Sequence, residues 1–552
     1  MRNGYKWTGL ILLIVLLGGM IKPISESTLK CFLIHHNRRA AILSGKLNRE
    51  HFAADTTGRD IHYQNSQRLQ EQLTDIYQSA IAYYWLSLLR KSGLITEPHL
   101  KRELELTYLD YLGSQGDRTQ LDVIINQQTE LERTFAIFRP QWEGKTVTNL
   151  DLKNVLASAT NEEQLASAWM SGCQIGRIAG PKLINLVKLR NNLAREQGYR
   201  DFFQMKLVLN EQNEQELDTI VNQVEMLTCQ DYSLYKQQMD TAMAKRYGIP
   251  VNQLKPWHYQ QIFLQQVPPA YGERLDQYYQ PVDITRAIAD YFEQLGLPGQ
   301  RIINDSDLKP REGKYPYAYC MDIDRQGDVR ILANLSDDTD SARTLLHEMG
   351  HAVYDHGLSS SLPWRLREPA STALTEGVAM MFGDMASDPE WLHSRLGLSP
   401  GETQRLEAAG SSTRQLDDLI FCRWAIVMYK FEKALYANPD GRLDDYWWQL
   451  VKRYQLIDAP DQPPPCVWAA KVHLATAPVY YYQYLLGRII ACQLAAGWHK
   501  DLTAAQGQPT FVGVYLRDCV FAPGASLTWQ DLLKSATGQK LDPMVLVQDS
   551  SN

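Results

Sequence analysis

The sequence predicts a mostly α-helical protein with a cleft through its body and one small β-hairpin beside a candidate metal-binding helix. Three observations lead there. Apolar residues recur at helical spacing along most of the chain. Strand-like alternation is confined to one stretch, residues 317–335. The sequence His347-Glu348-x-x-His351 falls inside a segment that itself reads as a helix. With 552 residues, 44% of them hydrophobic, the chain can bury a large core, as one big domain or as two to four ordinary ones.

At the start, Arg2 and Lys6 precede an apolar run over residues 8–21, with no acid before it. This is a positive n-region followed by a signal-type apolar segment, so residues 1–27 are expected to be a signal peptide or N-terminal anchor. The run is shorter than the ~20 residues that span a bilayer comfortably. No A-x-A site is evident, so an uncleaved anchor stays open, and the rest is expected to be exported, to a periplasm or the extracellular space. Residues 30–60 read as a polar linker. Residues 67–89 carry Leu69, Leu73, Ile76, Tyr77, Ala80 and Tyr84 near helical spacing, and residues 100–112 and 121–138 follow as helices, the latter stopped by Pro140. Thr148-Asn149 is a capped start for the next. Residues 162–197 read as two helices broken at Gly180-Pro181, since proline breaks a helix interior. Helices are also expected over 214–247, 284–295, 400–437, 443–455 and 473–498, with Pro463-Pro464-Pro465 a rigid loop. The hairpin pairs residues 317–324 with 328–335 across Arg325-Gln326-Gly327.

The segment from Ser341 to Met385 organises the rest. Residues four apart share a helix face, so His347 and His351 can hold one zinc ion, with Glu348 beside them to take a proton from a water held there. Leu345, Leu346, Met349 and Val353 bury the opposite face; Thr339 or Asp340 caps the start and Gly357 suits the stop. A catalytic zinc keeps three protein ligands and one open position. Glu376, 25 residues after His351 and beyond a loop with Pro363 and Pro369, is the candidate third ligand from an antiparallel neighbour. The preceding hairpin either supports this helix or offers an edge strand to an extended peptide, and Met321 on it is a candidate substrate-binding residue.

Net charge is −7 with acids and bases well mixed, and no basic stripe points to nucleic acid. A membrane partner is expected only through an uncleaved N-terminal segment. None of the eight cysteines forms a C-x-x-C pair, which argues against a cysteine zinc site; buried thiols and disulfides are equally open readings.

A second constellation comes late: Lys471, His473, Tyr480, Tyr481, Tyr482 and Tyr484. Hydrolysis of an amide needs donors for the negative oxygen of a tetrahedral intermediate, and tyrosine hydroxyls and a histidine N–H are suitable. Tyr481 and Tyr484, three apart, can face the same way; an aromatic core cluster is the alternative.

Together, LLHEMGHAVYD, the downstream TEGVA, GDVRIL before the motif helix, K-x-H with the tyrosines, YLLGRIIACQ and GRIAGPKLINLVKLRNNLAREQGYRDFF resemble the angiotensin-converting-enzyme-like peptidases, the M2 family of zinc metallopeptidases. They also share features with the thimet-oligopeptidase-like M3 family. The resemblance covers about residues 131–494. It implies a two-lobed helical body with a deep cleft, and one peptidase domain over 28–552 with its zinc core near 315–385 and 465–495. It implies one zinc ion on His347, His351 and Glu376, with Glu348 as general base and then acid. Tyr484 would stabilise the oxyanion, His473 would bond substrate backbone, and Lys471 with Tyr481 would grip the C-terminal carboxylate of an oligopeptide, favouring release of a dipeptide.

The sequence departs from the family pattern in places. One extra residue between His473 and the tyrosines makes Tyr480 and Tyr481 compete for the carboxylate role. One extra residue between His351 and Glu376 gives a spacing closer to the M3 family. Gln483 and Val451 stand where chloride-binding arginines would be, so chloride activation is not expected. Asn334 falls near a family disulfide position, leaving Cys320 without that partner. Two other readings stand beside a dipeptide-releasing enzyme: an endo-acting oligopeptidase of the M3 type, and an exported peptide-binding protein that has lost activity.

Overall fold

The structure, a computed structural model, describes residues 21–272, 275–504 and 509–548. The leader expectation falls on residues 1–27, of which the first twenty lie outside the described residues; the rest open α1 (Ile21–Thr57). That helix replaces the linker expected over 30–60. Along its first half the buried Leu29, Leu33, His36 and Ala40 come about once per turn, a stripe too narrow to stand out in a polar sequence, while Phe52, Ala54, Asp55 and Thr56 are buried near its end. Residues 67–89 divide between α2 (Asp60–Tyr77) and α3 (Ala80–Ser92), because the Ser79 side chain accepts from the Ala82 N–H and caps the second helix. Leu29 and Leu33 pack with Leu86 of α3 and with Leu100 and Leu104 of α4 (Pro98–Gly113), which gives the N-terminal helices a small core of their own.

Next come α5 (Arg118–Ile137), a two-residue ladder of β1 (Gln141–Trp142) with β2 (Lys145–Thr146), and α6 (Asn149–Ser158). The start of α6 is the expected cap: Thr148 and Asp151 satisfy each other's backbone N–H reciprocally. The break expected at Gly180-Pro181 lies instead at Cys173, between α7 (Glu162–Gly172) and α8 (Gln174–Glu196), and Pro181 sits inside α8. The glycines there serve packing. A Cβ on Gly176 would stand 2.2 Å from the Cys466 carbonyl oxygen and one on Gly180 would stand 2.7 Å from Cys466 Sγ, so a later turn lies directly on this face. The helices α9 (Glu214–Tyr247) and α10 (Ile284–Gln294) follow as expected.

The hairpin is antiparallel, β3 (Tyr319–Asp322) with β4 (Val329–Leu332), Tyr319 opposite Leu332 and Asp322 opposite Val329. It leads into α11 (Thr339–Gly357), capped by Asp338, which accepts from the Ser341 N–H, rather than by Thr339 or Asp340. Gly357 does end the helix, for a packing reason: a Cβ there would lie 2.7 Å from the Phe521 ring. Helix α12 (Thr372–Asp384) returns along α11. Gly350 meets Ala379 and Gly383 meets His347, so the pair is antiparallel. A Cβ on Gly350 would come within 2.7 Å of the Ala379 Cα, closer than side chains allow. The remainder includes α13 (Pro400–Ala437), α14 (Leu443–Leu450), which runs on through a widened turn to Gln455, and α15 (Tyr481–Ala504). The helix expected over 473–498 is interrupted: one turn over His473–Thr476 ends before Pro478, and Val479 adopts φ 55°. Helix α15 then packs on α12, with Gly487 against Glu376.

One apolar core extends from Leu121 to Leu533 and takes in Leu345, Leu346, Met349 and Val353, the face of α11 turned from the motif. The fold is thus the expected mostly helical body with small hairpins near the motif helix. No helix of the described residues is long and apolar enough to cross a membrane. The α11–α12 contact yields a prediction. Gly350→Ala should destabilise the protein by about 1–3 kcal/mol through overpacking, read as a lower urea midpoint at unchanged m-value.

Candidate metal centre

The side chains of His347 and His351 leave α11 on one face, with ring centroids 4.9 Å apart. Glu376 reaches them from α12, its carboxylate 3% exposed. Glu376 Oε2 lies 3.5 Å from His347 Nε2 and 3.7 Å from His351 Nε2. A tetrahedral ion with bonds near 2.1 Å separates its ligands by roughly 3.4 Å, so these spacings suit one ion. The donor set, two imidazoles and a carboxylate, is the kind zinc takes. Glu376 Oε2 has no hydrogen-bond partner although it is buried, which an ion would remedy. Burial pushes the His347 imidazole down to about 4 and the Glu376 carboxyl up to about 7, so the ring is kept neutral and charge on the carboxylate is disfavoured until a cation is beside it. The residues present therefore fit the metal.

Two contacts orient these ligands. His351 Nδ1 lies 2.7 Å from Thr375 Oγ1, and an N–H donated there leaves Nε2 free to face Glu376. Tyr480 OH donates to Glu376 Oε1 at 2.6 Å. Glu348 stands alongside on α11. Burial, then the Glu376 charge, push its carboxyl up to about 8, while the Cys320 backbone N–H donates to it. This strand contact comes from Cys320, not from Met321. The Met321 side chain packs on the other side of the hairpin, with Phe52, Ile323 and Leu332. The Cys320 sulfur lies 3.9 Å from the Asp355 carboxylate. Asn334, expected in place of a half-cystine, bonds the Tyr315 carbonyl.

The late constellation divides in two. His473 Nε2 lies 3.3 Å from Tyr484 OH, and the Tyr484 ring is 5.2 Å from the Tyr480 ring. Burial pushes His473 down to about 3, so its ring is neutral. The other group gathers on Gln265. Its Oε1 accepts from Lys471 Nζ at 2.6 Å and from Tyr481 OH at 3.4 Å. Trp424 Nε1 donates to Tyr481 OH at 2.5 Å, and its ring lies 5.6 Å from Lys471 Nζ. Burial pushes the Lys471 amine down to about 7, and no carboxylate of the described residues pairs with it. Tyr481 thus shares an acceptor with Lys471, while Tyr480 faces Glu376.

Sequence reasoning missed Gln265 and Thr375. Gln265 lies in a non-helical stretch some two hundred residues from Lys471, with no periodicity to mark it. Thr375 immediately precedes Glu376, and its adjacency to a ligand was the only available signal.

The comparisons with known proteins agree with this geometry. The family model described as Peptidase M2, angiotensin-converting enzyme, matches residues 24–548. Bovine angiotensin-converting enzyme is 24% identical over 463 residues, covering 74% of this chain and 34% of the bovine protein. The chain therefore spans about a third of the length of that relative. Nothing in the site separates out a feature specific to the M3 family. From the ligand geometry, the unaltered protein should carry one zinc ion by elemental analysis and Glu376→Ala should purify without it.

Proposed function

The chain belongs to the M2 family of zinc metallopeptidases, the family of angiotensin-converting enzyme, and on that basis we propose that it hydrolyses oligopeptides from their free C-terminus, releasing dipeptides. The observation that carries the C-terminal preference is Lys471. It is a partly buried amine with no ion-pair partner among the described residues, sharing Gln265 with Tyr481. A partly desolvated cation held only by a neutral amide gains from a counter-ion, and the terminal carboxylate of a peptide supplies one. Gln265 would then turn or yield, since its carbonyl oxygen now occupies both donors.

His347, His351 and Glu376 would hold a zinc ion, which would supply a Lewis acid to polarise the scissile carbonyl and acidify the attacking water. The chain does the rest. Glu348, whose carboxyl burial pushes up to about 8, stands beside the ligands and as a carboxylate takes the proton of the attacking water. It passes that proton to the leaving amine. Tyr484 donates its hydroxyl to the carbonyl oxygen as negative charge develops there, with the neutral His473 ring holding the hydroxyl's orientation. The edge of β3 next to Glu348 offers backbone groups to an extended substrate. We take residues 28–552 as one peptidase domain and, from the basic and apolar opening of the chain, propose that it acts after export.

Two predictions follow from these roles. Glu348→Ala should retain zinc while losing at least ~10²-fold in kcat; near-full turnover would remove Glu348 from the mechanism. Because Lys471 sits near 7 in the free protein, its ammonium is lost as pH rises through that value. The kcat/KM for free-acid peptides should therefore fall above pH ~7 relative to C-terminally amidated ones. Lys471→Gln should abolish both the preference and its pH dependence. Undiminished cleavage of amidated peptides by the unaltered protein would favour endo-cleavage instead.

A further inference from the structure

Tyr480 faces away from the carboxylate site and into the metal ligands. Its hydroxyl is the donor to Glu376 Oε1 at 2.6 Å, while Oε2 is the oxygen turned to the two imidazoles and has no hydrogen-bond partner. The terminal torsion of a glutamate is soft and roughly two-fold. An unrestrained carboxylate can offer either oxygen, or both, to a cation. Here one oxygen is already taken.

The ring is held in place by an unusual backbone. Val479, a β-branched residue, adopts φ 55°, a left-handed conformation that costs of order 1–3 kcal/mol. Its N–H donates to Glu432 Oε1 at 2.7 Å, and Glu432 is itself 3% exposed. Pro478 precedes it, so the chain cannot continue the turn that began at His473. This kink sets Tyr480 over α12 while Tyr481 and Tyr484 follow on α15, and the close contact of Gly487 with Glu376 keeps α15 against α12.

We propose that Tyr480 is a positioning residue for the metal ligand Glu376: its hydroxyl holds Oε1 so that Oε2 alone is offered to the ion. The proposal rests on the reading of His347, His351 and Glu376 as the metal site. It assigns Tyr480 no contact with substrate. The experiment compares Tyr480→Phe with the unaltered full chain. Zinc affinity is measured by competition with a chromophoric chelator, and the cobalt-substituted proteins are compared by visible absorption. The expected result is zinc binding weaker by about 10–100-fold. The cobalt bands should lose intensity as a freed second oxygen raises the coordination number. The preference for free-acid over amidated peptides should be kept, since Lys471, Gln265 and Tyr481 are untouched. Near-ultraviolet circular dichroism of the metal-free proteins should superpose, which separates loss of the ligand's orientation from loss of fold. Zinc affinity within twofold of the unaltered protein overturns the proposal, as does loss of the free-acid preference at unchanged affinity. A variant that does not fold also overturns it, since the hydroxyl would then serve folding. If the unaltered protein itself takes up no zinc, the reading of the site falls; if it does and the variant matches it, only the role of Tyr480 falls.

Discussion

The site depends on one buried carboxylate held between three helices. Glu376 is desolvated, faces two imidazoles on α11 and is bonded from behind by the residue that introduces α15. That arrangement is possible only because the helices approach closely. Gly350 lets α12 lie on α11, and Gly487 lets α15 lie on Glu376 itself. The large core is what fixes these distances: Leu345, Leu346, Met349 and Val353 are fully buried on the far face of α11, so the motif helix cannot rotate without exposing them. Burial has an electrostatic consequence as well. It disfavours charge on Glu376 and Glu348 and favours neutral His347, a state that a bound dication would reverse for the carboxylates.

How much of this was legible in the sequence follows from how local each feature is. His347, Glu348 and His351 are fixed by helical spacing, and Glu376 by its place on the next helix, so four side chains could be read without coordinates. Tyr480 and Tyr481 could not be told apart, because the difference is made by one β-branched residue with positive φ, which no propensity favours. Gln265 was invisible for the opposite reason: nothing local distinguishes it, and only the fold brings it to Lys471. The same contrast appears in the scaffold. The capping box at Thr148 is a local pattern and was read correctly. Pro181 was read as a break because a local rule was applied, while the contact of Gly176 and Gly180 with the turn at Cys466 is tertiary and prevails. The first helix does not stand out from a linker because the buried stripe of its first half is about one residue wide, and its partners there lie on α3 and α4, with Phe52 near its end packed on Ile323 and Leu332.

The position of Gln483 bears on how the tyrosines are kept in place. The resemblance puts a chloride-binding arginine of the family there, whose charge would need an anion beside it. Here the side chain is a buried neutral amide. Gln483 Nε2 donates to Tyr482 OH at 2.9 Å, and Asn210 Nδ2 donates to the same oxygen at 3.1 Å. Gln483 Oε1 is buried without a partner, and it would repel an anion rather than bind one. Two amides and a phenol thus link α15 to the residue following the helical turn at Leu209 with no net charge to be compensated. A neutral anchor responds little to ionic strength, because screening acts on charges. On the other side of α15, Tyr481 is fixed by Trp424 and Tyr480 by Glu376. With each of these consecutive hydroxyls hydrogen-bonded, the start of α15 is positioned by the protein's own hydrogen bonds, and Tyr484, one turn further on, follows in that register.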